Sequence, residues 1–144
     1  MVKTNKKLNV ALFLFLTFSM QAQGRVVSHV EIKQTGQHDD GREDKNEVEA
    51  CKVFRPSKNQ IVRFFNQAAE SKENGNLLHE YYSPCISFGT IKFKDGSKGD
   101  WQIQSSGLGF VIFDNGESAT FFHKGNQWTD PYACTYGLGD DLIC

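Results

Sequence analysis

The chain has 144 residues, with 16 Lys or Arg and 17 Asp or Glu, so its formal net charge is −1 at pH 7. A nucleic-acid-binding protein would carry Lys and Arg clustered on one face, and this charge balance argues against that class. The sequence contains no discrete repeat and no second domain, so we expect one domain with a modest core.

The N-terminus has the residue order of an export signal. Lys3, Lys6 and Lys7 precede an apolar run at 8–20, and small or polar residues follow at 21–23. The run is shorter than the roughly 20 apolar residues that a membrane-spanning helix needs. We therefore predict a signal peptide over 1–23, a periplasmic or secreted protein and no stable membrane anchor. Its removal would leave 13 basic against 17 acidic residues, a balance that suits a cationic partner or serves solubility alone.

A polar stretch follows the predicted signal. Residues 28–50 are dense in Asp, Glu, Lys, Gln and His and have almost no large apolar side chains. Such a stretch buries too little surface to offset the entropy of ordering it. The sequence therefore predicts a flexible polar tether over 24–50 and a single α+β domain over 51–144.

One helix is strongly indicated near the start of that domain. Ser57 precedes Gln60 by three positions, which is a capping-box pattern. An apolar stripe then recurs at helical spacing, and Gly75 is the expected terminator. The stripe is typical of a helix that packs on a sheet, and its members are Ile61, Phe64, Phe65, Ala68 and Ala69.

From Ile86 onward the apolar period changes to two, which indicates strands. Turn signals recur at 95–96, 105–107, 115–116 and 125–126, and the segments between them are rich in β-branched and aromatic residues. We predict a curved antiparallel meander of about four strands, packed against the helix and stabilised by disulfides. Gly89 shifts the apolar phase within the first strand, which predicts a bulge or bend there.

The four cysteines, Cys51, Cys85, Cys134 and Cys144, form an even set in a predicted exported chain, which predicts a disulfide framework. Spacing leaves three pairings open. The ends of an up-and-down meander favour Cys85 with Cys134, which leaves Cys51 with Cys144. The main alternative joins Cys51 to Cys85 and Cys134 to Cys144.

Catalytic patterns are almost absent from the sequence. The four histidines are scattered and form no paired zinc-ligand motif, and no CxxC pair is present. The glycine-rich stretch 105–109 precedes a strand-like segment, whereas a nucleophile elbow or phosphate loop needs a helix there. We therefore predict a non-enzymatic protein without catalytic residues, metal or cofactor.

The segment 128–141 concentrates aromatic, acidic and turn residues around Cys134. Tyr and Trp are frequent interface anchors, and carboxylates beside them would complement a basic cleft. We predict partner contact through this segment, or equally a core lid formed by Trp128 and at least one tyrosine. Trp101 is predicted to be core. The predicted contact residues are Trp128, Asp130, Tyr132, Tyr136, Asp140 and Asp141.

Three stretches carry a resemblance to known proteins: YSPC at 82–85, GTIKFKDGSKGDWQIQSSGLG at 89–109 and WTDPYACTYGLGDD at 128–141. Together they resemble small exported bacterial proteins of the periplasmic toxin-immunity type, which belong to type VI secretion and related antibacterial systems. The resemblance covers nearly the whole predicted domain. It implies an immunity protein that blocks a cell-wall-directed toxin with a basic cleft. The alternatives are an inhibitor of host lysozyme-type enzymes and an envelope hydrolase.

Overall fold

The structure is a computed structural model that describes residues 25–39, 44–71 and 75–137. It is an α+β fold with one six-stranded antiparallel sheet, in the order β1-β3-β4-β5-β6-β2. The predicted signal peptide over 1–23 lies outside these residues, as do Asp140, Asp141 and Cys144. The elements are β1 Val27–His38, α1 Lys45–Cys51, α2 Lys58–Gln67, β2 Ala69–Ser71, α3 Gly75–Glu80, β3 Cys85–Phe93, β4 Lys98–Gln104, β5 Leu108–Phe113 and β6 Ser118–Phe122.

The predicted helix and meander are both present, although the predicted number of elements was too small. Helix α2 begins after Ser57, whose backbone N–H donates to Gln60 Oε1 at 2.8 Å while the Gln60 N–H donates to Ser57 Oγ at 3.3 Å. The helix ends at Gln67 and not near Gly75, because Ala69–Ser71 turns into β2 and pairs with β6. The four predicted strands are β3 to β6.

The predicted tether over 24–50 is wrong for most of its length. Val27–His38 forms β1, which pairs with β3, and Lys45–Cys51 forms α1. Register shifts between Val27 and His29 and between Ile32 and Gln34 break the period of two in β1. These irregularities let the few apolar residues of the strand reach the core, where Val27 and Val30 are buried. Strand pairing therefore orders a segment whose composition alone suggests disorder.

Strand β3 itself has no bulge at Gly89, so the phase change of its apolar residues does not come from the predicted bulge. Strand β3 pairs with β4 in regular register through Gly89, and the irregularity lies opposite, in β1. A Cβ atom on Gly89 would lie 1.9 Å from the Glu31 carbonyl oxygen, so only glycine permits this approach of β1. The Trp101 indole N–H donates to the Thr90 and Glu31 carbonyls at 3.0 and 3.2 Å, which fastens both strands.

The core lies between helix α2 and one face of the sheet, which we call the inner face. The Phe65 ring of α2 meets Phe93, Trp101 and Phe121 edge-on, with centroids 5.2 to 6.2 Å apart. Trp101 is 1% exposed, which confirms it as a core residue. Within the described residues, no helix has the length and apolar character needed to cross a membrane.

A disulfide joins Cys51 at the end of α1 to Cys85 at the start of β3. The favoured pairing, Cys85 with Cys134 and Cys51 with Cys144, is therefore wrong. Its error follows from the missed elements, because β1 and α1 carry Cys51 beside β3. Cys134 is also disulfide-bonded. Its pairing with Cys144, from the alternative framework, stays a prediction since Cys144 lies outside the described residues.

Candidate binding loop

After β6 the chain forms an irregular loop over residues 124–137, which we call the C-terminal loop. It contains turns but no helix or strand, and it crosses the end of the sheet near the β4–β5 connection. Four of the six predicted contact residues lie in it, namely Trp128, Asp130, Tyr132 and Tyr136. Asp140 and Asp141 lie outside the described residues.

Asp130 is the centre of a hydrogen-bonded cluster that fixes this loop. Its carboxylate accepts from the Ser105 hydroxyl at 2.7 Å, from the Tyr136 hydroxyl at 2.8 Å and from the Tyr132 backbone N–H at 3.0 Å. The Ser105 and Ser83 Oγ atoms lie 2.7 Å apart and extend the cluster beneath the loop. One carboxylate thus ties the loop to itself and to the end of β4.

Trp128 is the apolar anchor of the same loop. Its ring lies 5.6 Å from that of Phe54 and 5.7 Å from that of Phe64, so it closes the helix side of the core. Its indole N–H donates to the Ser105 carbonyl at 2.9 Å. The core-lid alternative therefore describes the position of Trp128, and Tyr132 also packs partly against the core.

Tyr136 is the buried aromatic partner of Asp130. The residue is 8% exposed, and its ring centroid lies 6.1 Å from that of Tyr81. Burial raises the pKa of the Tyr136 phenol well above its ordinary value, and the nearby negative charge of Asp130 raises it further. The phenol therefore stays protonated and donates to Asp130 through the neutral pH range.

A cleft of about 240 Å³ lies beside this cluster. Tyr81, Ser106, Lys124 and Asn126 line it together with the Asp130 cluster. The Lys124 ammonium lies 4.9 Å from the centre of the Tyr81 ring, within range of a cation–π interaction. The cleft thus combines one cation, an aromatic wall and several hydrogen-bonding groups.

The cluster holds the loop in place and is poorly arranged for catalysis. A serine nucleophile needs an accessible hydroxyl and a base that can take its proton. Ser105 is 2% exposed and Ser83 is fully buried, while the Asp130 oxygens already accept three donors. Within residues 25–39, 44–71 and 75–137, no group of three His, Cys, Asp or Glu side chains is placed to hold a metal ion.

The four predicted contact residues that the structure describes therefore support the loop from its inner side, and its most exposed residues are others. Sequence reasoning did not identify Ser83 or Ser105 as members of the cluster. The only signal was the Ser-Ser-Gly turn at 105–107, which indicates a connection between strands and gives no sign of its partner. The exposed residues of the loop include Lys124, Gln127, Thr129 and Thr135.

Comparison with models of known protein families, with curated proteins and with solved structures finds no match for this chain. Its function is therefore inferred from its own residues.

Proposed function

We propose that the chain is an exported, non-enzymatic inhibitor that binds a secreted antibacterial, cell-wall-directed toxin, as an immunity protein does. The C-terminal loop would form the contact. The observation that supports this proposal is the fixation of an irregular, exposed loop by the three hydrogen bonds that Asp130 accepts.

Loop rigidity matters because binding a flexible segment costs conformational entropy. Each side chain that becomes immobile costs about 0.5 to 1.5 kcal/mol, and ordering a backbone costs more. In this chain Trp128 and Asp130 hold the loop from the core side, and a disulfide bond at Cys134 restrains it further. The loop can therefore meet an enzyme cleft with little loss of freedom.

The Cys51–Cys85 disulfide is compatible with a protein outside the reducing cytoplasm. It supports the export predicted from the N-terminus. Cross-linking of α1 to β3 also stiffens the scaffold behind the loop.

The prediction of a basic partner depends on fewer acidic contact residues than the sequence suggested. The Asp130 carboxylate already accepts hydrogen bonds from within the protein, so it is a poor contact for a basic cleft. The acidic contacts would then fall to Asp140 and Asp141, outside the described residues. A toxin with a basic cleft stays a prediction.

The test is binding between the purified mature chain and the product of a neighbouring toxin gene, measured by calorimetry together with toxin activity. We expect a complex with a dissociation constant below about 1 µM and loss of toxin activity. Gln127→Arg, on the exposed side of the loop, should weaken binding at least about 10-fold. Asn59→Arg is the matched control, since it also replaces an exposed amide side chain by arginine, on α2, and it should leave binding unchanged.

A lysozyme belongs in the same assay. Its inhibition, without any effect on the neighbouring toxin, would favour the alternative of an inhibitor of lysozyme-type enzymes. Absence of a complex with either enzyme at micromolar concentration would refute the proposal.

A further inference from the structure

The sheet face opposite α2, which we call the outer face, is covered at only one end by the residues that the structure describes. There Tyr81 packs on Phe122 of β6, with ring centroids 4.5 Å apart, and Tyr136 packs behind Tyr81. The middle of the outer face is an open groove of about 640 Å³ across β3, β4 and β5. We call it the outer groove, and its central side chains are Ile86, Phe88, Gln102, Phe110 and Ile112.

The outer groove is unusually apolar for an uncovered surface. Ile112 is 63% exposed, more than any other large apolar residue in the described ranges. It lies on β5, an interior strand, where its strand neighbours Val111 and Phe113 point to the core. Phe88 and Phe110 are half-buried on either side of Gln102. A contiguous apolar patch with a polar rim marks an interaction surface.

Gln102 limits what can cover the outer groove. It lies directly between Phe88 and Phe110 in the strand register, at the centre of the patch. In the part of the chain that the structure describes, its side-chain amide has no hydrogen-bond partner. An apolar ligand would bury that amide without a partner, at a cost of about 1 to 3 kcal/mol. A second Gln102 amide supplies both the donor and the acceptor that it needs.

The charges at the rim also fit a second copy of the chain. Lys33 lies 3.1 Å from Asp100 across the outer face, and both side chains are more than half exposed. Asp39 lines the same groove, and its carboxylate accepts from the Tyr82 hydroxyl at 3.3 Å. A partner surface that carries charges of only one sign would meet a like charge at this rim. A second copy related by a two-fold axis brings both positive and negative charges to the rim, so that opposite charges can pair.

We propose that the outer groove is a self-association interface. Two copies pack their sheets face to face around a two-fold axis, with Ile112, Phe88 and Phe110 in the centre. The two Gln102 amides hydrogen-bond across the axis. This assembly goes beyond the proposed inhibitor function, since it uses a different surface and requires no toxin.

The test is sedimentation equilibrium of the oxidised mature chain alone, from about 1 to about 500 µM. We expect a reversible dimer with a dissociation constant near 10 µM, as for a small interface. Ile112→Asp and Gln102→Lys should each weaken dimerisation at least about 10-fold, because each brings two like charges together at the axis. Val53→Asp is the control, since Val53 is 51% exposed away from the outer groove, and it should dimerise like the wild type.

The melting temperature of each variant shows whether it is folded. If Ile112→Asp fails to fold, Gln102→Lys alone tests whether the outer groove is the dimer interface. A wild-type protein that is still monomeric at the highest concentration would overturn the proposal, whether or not it takes up an apolar dye. A folded Ile112→Asp or Gln102→Lys variant that dimerises as tightly as the wild type would overturn it as well.

Discussion

Replacing Asp130 by alanine should remove the hydrogen bonds that hold the C-terminal loop in place and destabilise the whole domain. The Tyr136 hydroxyl, in a residue that is 8% exposed, would lose its acceptor. A buried hydroxyl without a partner costs about 1 to 3 kcal/mol, and the partly buried Tyr132 N–H adds about 1 kcal/mol. Ser105 keeps its contact with Ser83 and contributes little. We therefore expect a loss of about 2 to 4 kcal/mol in the free energy of unfolding.

Urea denaturation with the disulfides intact, followed by tryptophan fluorescence, measures this loss. Asp130→Asn retains one acceptor oxygen and should cost about half as much. Asp114→Ala is the control, because its ion pair with Lys98 at 3.4 Å is exposed and should contribute less than about 0.5 kcal/mol. A loss below about 1 kcal/mol for Asp130→Ala would show that the cluster does not hold the loop.

Three further changes test other parts of the structure. Replacing both Cys51 and Cys85 by alanine removes a disulfide between residues 34 positions apart and should lower the free energy of unfolding by about 4 kcal/mol. An unchanged urea midpoint would contradict this. Among the described residues, Ser87 Oγ is buried and has no hydrogen-bond partner, so Ser87→Ala should stabilise by about 1 kcal/mol, and a clear loss of stability would contradict this. Because the pKa of Tyr136 is raised, the folded state keeps the phenol proton that the unfolded chain releases above about pH 10, so stability falls as the pH rises past that value. Tyr136→Phe should flatten this fall between about pH 9 and about pH 11, and an identical slope would contradict the assignment.

The elements that the sequence predicted are those with local signals. Helix α2 has its capping residues and apolar stripe within one short segment, and the meander has glycine-containing turns between alternating strands. Strand β1 lacks such signals, because its register shifts interrupt the period of two that identifies a strand. Its order comes from pairing with β3, whose paired residues lie 47 to 66 positions away, and composition does not reveal that pairing.

The Asp130 cluster was hidden for a similar reason. Ser83, Ser105 and Asp130 are more than 20 residues apart from one another in sequence, and only the folded sheet brings them together. The outer groove, in contrast, had a signal that was misread. Ile86 and Phe88 point to one face of β3 while Ile91 and Phe93 point to the other, so the phase change at Gly89 reflected apolar residues on both faces.

The most direct test of the central claim is the mobility of the C-terminal loop in the free protein, measured by backbone ¹⁵N relaxation. If Asp130 fixes the loop, the order parameters of the Tyr132, Ala133 and Thr135 amides should be about 0.85, equal to those of the strands, and should fall in Asp130→Ala. Order parameters below about 0.6 for these amides in the wild-type protein would contradict a preorganised binding loop.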